Sequence, residues 1–174
     1  MINIVIGTNR KYAKSAVVAA YYHHLLASKD VQANVINLGE LPGDFTSSAL
    51  YENNGKHEEF NTIRDRFVEA DKFIFVIPEY NGSYPGVLKA FIDGMNYPSG
   101  LEGKKCALVG VSTGIQGASV ALSHFTDILH YLQMHVLGLQ LKLGQIHLHL
   151  KENQLTNDIY IKLMHQQADQ FISF

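Results

Sequence analysis

The chain has 174 residues, 47% of them hydrophobic, with 14 glycines, 4 prolines and a formal net charge of −2. That size and composition fit one globular domain spanning residues 1–174 and exclude a disordered or collagen-like chain. Charged residues make up only 17%, against roughly 25% in an average soluble protein, and with no basic cluster to supply a field neither nucleic acid nor an anionic membrane is an expected partner. The longest strongly apolar run, Phe73 to Ile77, is far shorter than the roughly 20 residues of a spanning helix. Cys106 is the single cysteine, which rules out an intrachain disulfide or a multi-cysteine zinc site and fits a reducing, cytoplasmic setting. The N-terminus has neither the basic start nor the long apolar stretch of a secretory signal.

In chain order, Met1 to Gly7 reads as a buried strand that ends in a loop. Val17, Ala20, Tyr21, His24 and Leu25 then recur at helical spacing and predict a helix over about Lys14 to Ser28. Val31 to Leu38 reads as a second strand with polar residues interleaved, and Gly39 to Gly55 as a long turn-rich surface connection with room for a short helical piece. Phe60, Ile63, Phe67 and Val68 mark a helix closing at Asp71. Lys72 to Pro78 is the third and most hydrophobic strand.

A helix from about Pro85 to Gly94 follows, with proline near its start. Cys106 to Val111 is the fourth strand and Ala118 to His135 the next helix. Leu139, Leu141 and Leu143 alternate with Gln140 and Lys142, which predicts a half-buried fifth strand broken at Gly144. Thr156 reads as the cap of a last helix with Tyr160, Leu163, Met164, Gln167 and Phe171 along one stripe.

Strands alternating with helices imply βαβ units in an α/β three-layer fold, a parallel sheet with helices on both faces. The first, third and fourth strands are nearly continuous apolar runs suited to the sheet centre, and the second and fifth carry polar residues suited to its edges. The order 2-1-3-4-5 satisfies this and puts a ligand crevice at the C-terminal ends of strands one, three and four.

Three loops stand at those ends. Gly7 to Ser15 (GTNRKYAKS) leads into a helix and can aim backbone N–H groups at an anion, with Arg10 as a bidentate phosphate fork; an ordinary loop with surface Lys and Arg explains it about as well. Pro78 to Lys89 (PEYNGSYPGVLK) places two tyrosines among turn formers, flat apolar walls suited to an aromatic ring. Ser112 to Gly117 (STGIQG) is a small-residue loop, a second cradle of N–H groups. Neither a GxGxxG nor a GxxxxGK[ST] motif is present, which disfavours a nucleotide triphosphatase.

On these residues the sequence resembles the NADPH-dependent FMN reductase family of flavodoxin-like oxidoreductases. Pro78 to Asp93 (PEYNGSYPGVLKAFID) is similar to that family's most characteristic motif, GTNR at 7 to 10 to its phosphate loop and STGIQG at 112 to 117 to its third flavin loop. The resemblance implies an FMN-dependent oxidoreductase that takes hydride from NADPH or NADH and reduces quinones, flavins, azo dyes or metal oxyanions as small-molecule acceptors. It implies that Thr8, Arg10 and Ser15 hold the FMN phosphate, that Pro78, Glu79, Tyr80 and Asn81 line the isoalloxazine, and that Ser112, Thr113 and Gly114 approach its pyrimidine side. Two departures stand out. Ala13 occupies a position where the family often has serine, which leaves the phosphate hydroxyl to Ser15 or the backbone. The glycine pair and arginine after the third loop are reduced to Gly117, Ala118 and Ser119, which leaves selectivity for NADPH over NADH open.

Two alternatives differ in class: a flavodoxin-type electron carrier without its own NAD(P)H oxidation, and a flavodoxin-like scaffold that has lost its flavin. Carriers are typically strongly acidic around the flavin, and −2 argues against that. Nine histidines invite a metal reading, but neither His147 with His149 nor His23 with His24 has a third ligand at a recognisable spacing. Cys106 reads as inert packing and Glu79 as a structural group. From Cys106 to Leu141 only Asp127 is charged. One side of the 118–135 helix covers the sheet, while Val120, Tyr131 and Met134 add apolar surface elsewhere. This predicts a homodimer through the 85–95 and 118–135 helices, which the resemblance also implies.

Overall fold

The buried runs and helical stripes resolve, in a computed structural model describing all 174 residues, into a parallel sheet covered on both faces. The strands are β1 (Ile2–Ile6), β2 (Ala33–Asn37), β3 (Lys72–Pro78), β4 (Lys105–Val111), β5 (His135–Val136) and β6 (Leu141–Leu143), with a separate hairpin of β7 (Leu150–Lys151) and β8 (Gln154–Leu155). The helices are α1 (Lys14–Ala27), α2 (Phe45–Ser48), α3 (Glu58–Val68), α4 (Gly86–Asp93), α5 (Ser119–Tyr131) and α6 (Asp158–Ser173). The sheet order is β2-β1-β3-β4-β5, with β6 also on β4. Apolar β1, β3 and β4 are central and the more polar β2 lies at an edge, where one rim meets solvent.

Two cores sit on opposite faces. Phe60, Phe67, Phe75, Phe91 and Phe125 anchor the one under α3, α4 and α5; Val18, Tyr22, Met164 and Phe171 anchor the one under α1 and α6. Aromatic edges meet faces throughout the first, as in Phe67–Phe91 at 5.1 Å and Phe75–Phe125 at 5.0 Å between centroids, the geometry the ring quadrupole favours.

Several sequence expectations change. The buried stripe of α1 is Ser15, Val18, Ala19, Tyr22, Leu25 and Leu26, not the set begun at Val17. The helix is apolar nearly all round, so spacing does not fix which face turns inward. The 39–55 connection sends Phe45, Ala49 and Leu50 into the first core, because α2 and two 3₁₀ turns give it helical faces. Helix α5 ends at Tyr131 and not His135: Gln133 adopts a left-handed φ of 59°, and the Met134 amide closes back on Leu129 O, a C-terminal stop. That turn buries Met134, which therefore adds no exposed apolar surface. Asn157, not Thr156, caps α6, its side chain accepting the Tyr160 N–H at 3.0 Å. His147 and His149 lie in and just after a 3₁₀ turn over Ile146–Leu148 rather than along a strand.

The fifth strand is split. β5 pairs with Lys105 and Cys106, β6 with Val109 to Val111, and between them the carbonyl of Leu108 has no ladder partner. Gln167 of α6 fills that gap, donating to Leu108 O at 3.0 Å and Leu139 O at 2.6 Å while accepting the Tyr22 hydroxyl at 3.1 Å. At the opposite end of the sheet from the ligand crevice, Lys72, Lys104 and Lys105 donate to carbonyls at the C-termini of α6 and α3, where cations suit the helix dipole.

Candidate active site

The sheet order delivers the three loops to one end, and each is held there by identifiable bonds. The first loop leaves β1 at Gly7, whose amide donates to Val76 O at 3.0 Å. A Cβ there would lie 3.2 Å from that carbonyl oxygen and from Leu88. Thr8 is buried, and its Oγ1 accepts the Arg10 amide at 3.2 Å. Ala13 occupies the N-cap of α1 in extended conformation and offers no capping side chain. The consequence is a run of amides, Lys11 to Ser15, that donate to no backbone carbonyl. The Ser15 hydroxyl, 1% exposed as a residue, is buried without any partner. A buried hydroxyl without a hydrogen bond is costly, and free amides at a helix start with such a hydroxyl beside them suit an anion.

The second loop is a tight reversal. Asn81 and Gly82 both take left-handed φ, 50° and 78°, and Tyr80 and Ser83 exchange backbone hydrogen bonds at 2.8 and 3.1 Å. Asn-Gly is the dipeptide this mirror-image turn requires. The Tyr80 hydroxyl meets Thr8 Oγ1 at 2.7 Å, which ties the second loop to the first. Ser83 Oγ meets His124 Nδ1 at 3.0 Å, and the Tyr84 ring stands edge-on to Phe125 at 5.2 Å, so the turn is also fastened to α5. Burial pushes the Tyr84 phenol up, with Lys89 opposing and Asp93 adding to the rise.

The third loop continues from β4. Ser112 Oγ donates to Gly114 O at 2.8 Å, and no amide from Thr113 to Ala118 donates to a backbone carbonyl except through the next helix turn at Ser119 and beyond. Gly117 and Ala118 are both left-handed, φ 60° and 64°. At Gly117 a Cβ would sit 2.3 Å from the Lys142 carbonyl carbon.

Of the residues expected from sequence, Arg10, Ser15, Pro78, Glu79, Tyr80, Ser112 and Thr113 line one cleft of about 260 Å³. Asn81 lies in an adjoining recess shared with Arg10, Glu79 and Tyr80. Thr8 and Gly114 are absent from the cleft lining: Thr8 braces Tyr80 and Arg10 from behind, and Gly114 O accepts from Ser112 Oγ and the Gln145 amide. Sequence reasoning missed Tyr12, Lys14, Ile146 and His147, which also line the cleft. Lys14 was legible as the first residue of the helix; His147 was not, because only the splitting of the fifth strand brings it here. No group of three or more His, Cys, Asp or Glu side chains is placed to hold a metal ion.

An anion cradle, an aromatic wall and a row of free amides around one cleft suit a phosphorylated flat heterocycle. The sequence profile of the NADPH-dependent FMN reductases matches residues 1–147. The chain belongs to the NADPH-dependent FMN reductase family. It is accordingly an FMN-dependent oxidoreductase with NAD(P)H as co-substrate. The chain is 32% identical over 139 residues to a 2-hydroxy-1,4-benzoquinone reductase of Burkholderia sp, covering 76% of this chain and 72% of that one. It is 32% identical over 140 residues to a quinone reductase of Pseudomonas putida, covering 76% and 71%. The flavoenzyme NAD(P)H:(acceptor) oxidoreductase FerB from Paracoccus denitrificans superposes with a TM-score of 0.80 at 23% identity, over 99% of this chain and 94% of that one; that likeness bears on the fold. The residues that this FMN reductase presents to the cleft fit the cofactor's chemistry, and the unpartnered Ser15 hydroxyl beside unpartnered amides is the observation that decides it.

Proposed function

We propose that the chain, acting as one FMN-binding domain, reduces quinones at the expense of NAD(P)H, the net reaction being quinone plus NAD(P)H plus a proton to hydroquinone plus NAD(P)⁺. The chemistry supplied by bound FMN is acceptance of hydride from the nicotinamide and its delivery to the acceptor. Everything else falls to this chain. Ser15, Arg10 and the amides from Lys11 to Ser15 bind the phosphate. Thr8 acts behind them by holding Tyr80 and the Arg10 amide in place. Pro78, Glu79, Tyr80 and Asn81 wall one side of the ring, with Tyr80 as the flat surface. Ser112, Thr113 and Gly114 form the stretch toward the pyrimidine side, where the amides of Thr113 and Gly114, which donate to no backbone carbonyl, would be the donors; N–H donors fixed in advance stabilise negative charge without reorganising. No side-chain acid or base is required, and Glu79 is a wall residue.

The free amides and buried Ser15 hydroxyl carry this reading, and the two quinone reductases among the relatives support the acceptor class. A homodimer is part of the proposal. Val120 is 45% and Tyr131 85% exposed on α5, and α5 is fastened to the Tyr80 turn through Ser83–His124, so pairing through α4 and α5 would cover apolar surface beside the cleft. A cytoplasmic location agrees with the reduced single cysteine.

The test is anaerobic. The purified chain loaded with FMN should be bleached by NADPH or NADH alone and recover its colour on addition of benzoquinone. Bleaching only in the presence of a separate reductase would make it an electron carrier instead.

A further inference from the structure

Besides Arg10, already assigned to the phosphate, the cleft holds two further basic groups without partners, Lys14 and His147. None of the three side chains makes an ion pair or a hydrogen bond within the chain. The one carboxylate in the lining, Glu79, pairs with none of them, so their donors are left to an anionic ligand. The Ser15 hydroxyl, buried and unpartnered in the same lining, points to where that ligand makes contact.

His147 is not on a loose segment. Beyond β6 the chain stays against the third loop: the Ser112 amide donates to Leu143 O at 3.1 Å, the Ile146 amide to Ser112 O at 3.0 Å and the Gln145 amide to Gly114 O at 2.9 Å. A Cβ on Gly144 would meet Ile115 O at 2.4 Å, so no other residue lets the two segments lie this close. From the far side the Tyr160 hydroxyl of α6 donates to Gly144 O at 2.8 Å. Ile146 is then buried at 1% exposure in the core shared with α1, and His147 follows it at the cleft wall. The turn is anchored on both sides while the imidazole it carries is exposed and unbonded.

We propose that His147 is a phosphate-contact residue, supplied by the turn after β6, which joins Arg10 and Lys14 around the dianionic end of the cofactor. The inference rests on the FMN reading and extends it to a segment with no motif of its own. Either ring nitrogen of an imidazole donates a hydrogen bond to a phosphate oxygen, and a protonated ring adds charge. Glu79 is the one carboxylate in the lining, and Tyr12 and Tyr80 are its phenols; none is bonded to His147.

The experiment titrates the purified chain and its His147→Ala and His147→Lys variants with FMN and, separately, with riboflavin, which lacks the phosphate, reading flavin fluorescence. His147→Ala should raise the FMN dissociation constant about 10- to 100-fold, the usual weight of one charge-assisted hydrogen bond, and change that for riboflavin by less than about 2-fold. His147→Lys should keep most of the FMN affinity. The imidazole is exposed, so the fold is not at risk, and circular dichroism verifies this. Equal losses for both flavins, or no loss with FMN, overturn the proposal and leave the FMN reading intact. A wild-type chain that binds neither flavin overturns the FMN reading itself.

Discussion

Tyr80 Oη lies 2.7 Å from Thr8 Oγ1, across two loops that are 72 residues apart in sequence. Thr8 in turn accepts the Arg10 amide at 3.2 Å, so one hydroxyl ties the Tyr80 turn to the loop that leads into α1. Tyr80→Phe keeps the wall and removes the tie. It should cost about 1 kcal/mol of stability, the net worth of one hydrogen bond, and weaken FMN and riboflavin alike by several-fold. Thermal melts and flavin titrations measure the two effects; an unchanged melt would mean the bond contributes nothing in solution.

Arg10 separates phosphate from ring. Arg10→Ala should weaken FMN binding by at least about 10-fold, as loss of a charged partner to phosphate implies, with little effect on riboflavin. Comparable losses for both would place the guanidinium elsewhere.

Gln167 stands in for the missing stretch of the fifth strand, and its deletion strands three groups at once. Gln167→Leu leaves the Tyr22 hydroxyl and the Leu108 and Leu139 carbonyls unpaired, and should destabilise by about 3 kcal/mol or more, since each buried orphan costs about 1–3. Chemical denaturation reads this as a lowered midpoint with an unchanged slope. The double variant Tyr22→Phe with Gln167→Leu should recover part of the loss.

Burial pushes the Cys106 thiol up to about 12. At neutral pH it should resist a thiol reagent until the chain unfolds. The native state keeps this proton more tightly than the unfolded chain, whose thiol titrates at about 8.5, so the contribution to stability is full below that value. It declines as pH rises from there toward about 12. A Cys106→Ala variant should show a flatter decline in stability over that alkaline range; an identical decline would remove the assignment.

Tyr131, 85% exposed on α5, tests the dimer. Tyr131→Lys should shift sedimentation toward the monomer at micromolar concentration while leaving the melting temperature within a few degrees, because surface substitutions away from the core change stability by about 0.5 kcal/mol or less. A wild-type chain that sediments as a monomer would end the dimer proposal.

Much of this protein was legible in one dimension. Periodicity and apolar runs determined the strand–helix alternation, because a strand buried on both faces must be apolar along its buried length, as Phe73–Ile77 and Cys106–Val109 are. The same contrast between central and edge strands yielded the order 2-1-3-4-5, and Asn81-Gly82 announced its turn because few other dipeptides tolerate two left-handed residues. What could not be read were relations that sum over distant parts of the chain. Spacing misassigns the inward face of α1 to the Val17, Ala20, Tyr21, His24 stripe where Val18, Ala19 and Tyr22 turn inward, since a helix apolar nearly all round has no single stripe to choose. The splitting of the fifth strand depends on Gln167 reaching across from α6, and the arrival of His147 beside Arg10 depends on that split and on the close approach of Gly144 to Ile115. Local propensities act over a few residues and are written in order along the chain, whereas which groups meet at the cleft is decided by packing between segments tens of residues apart.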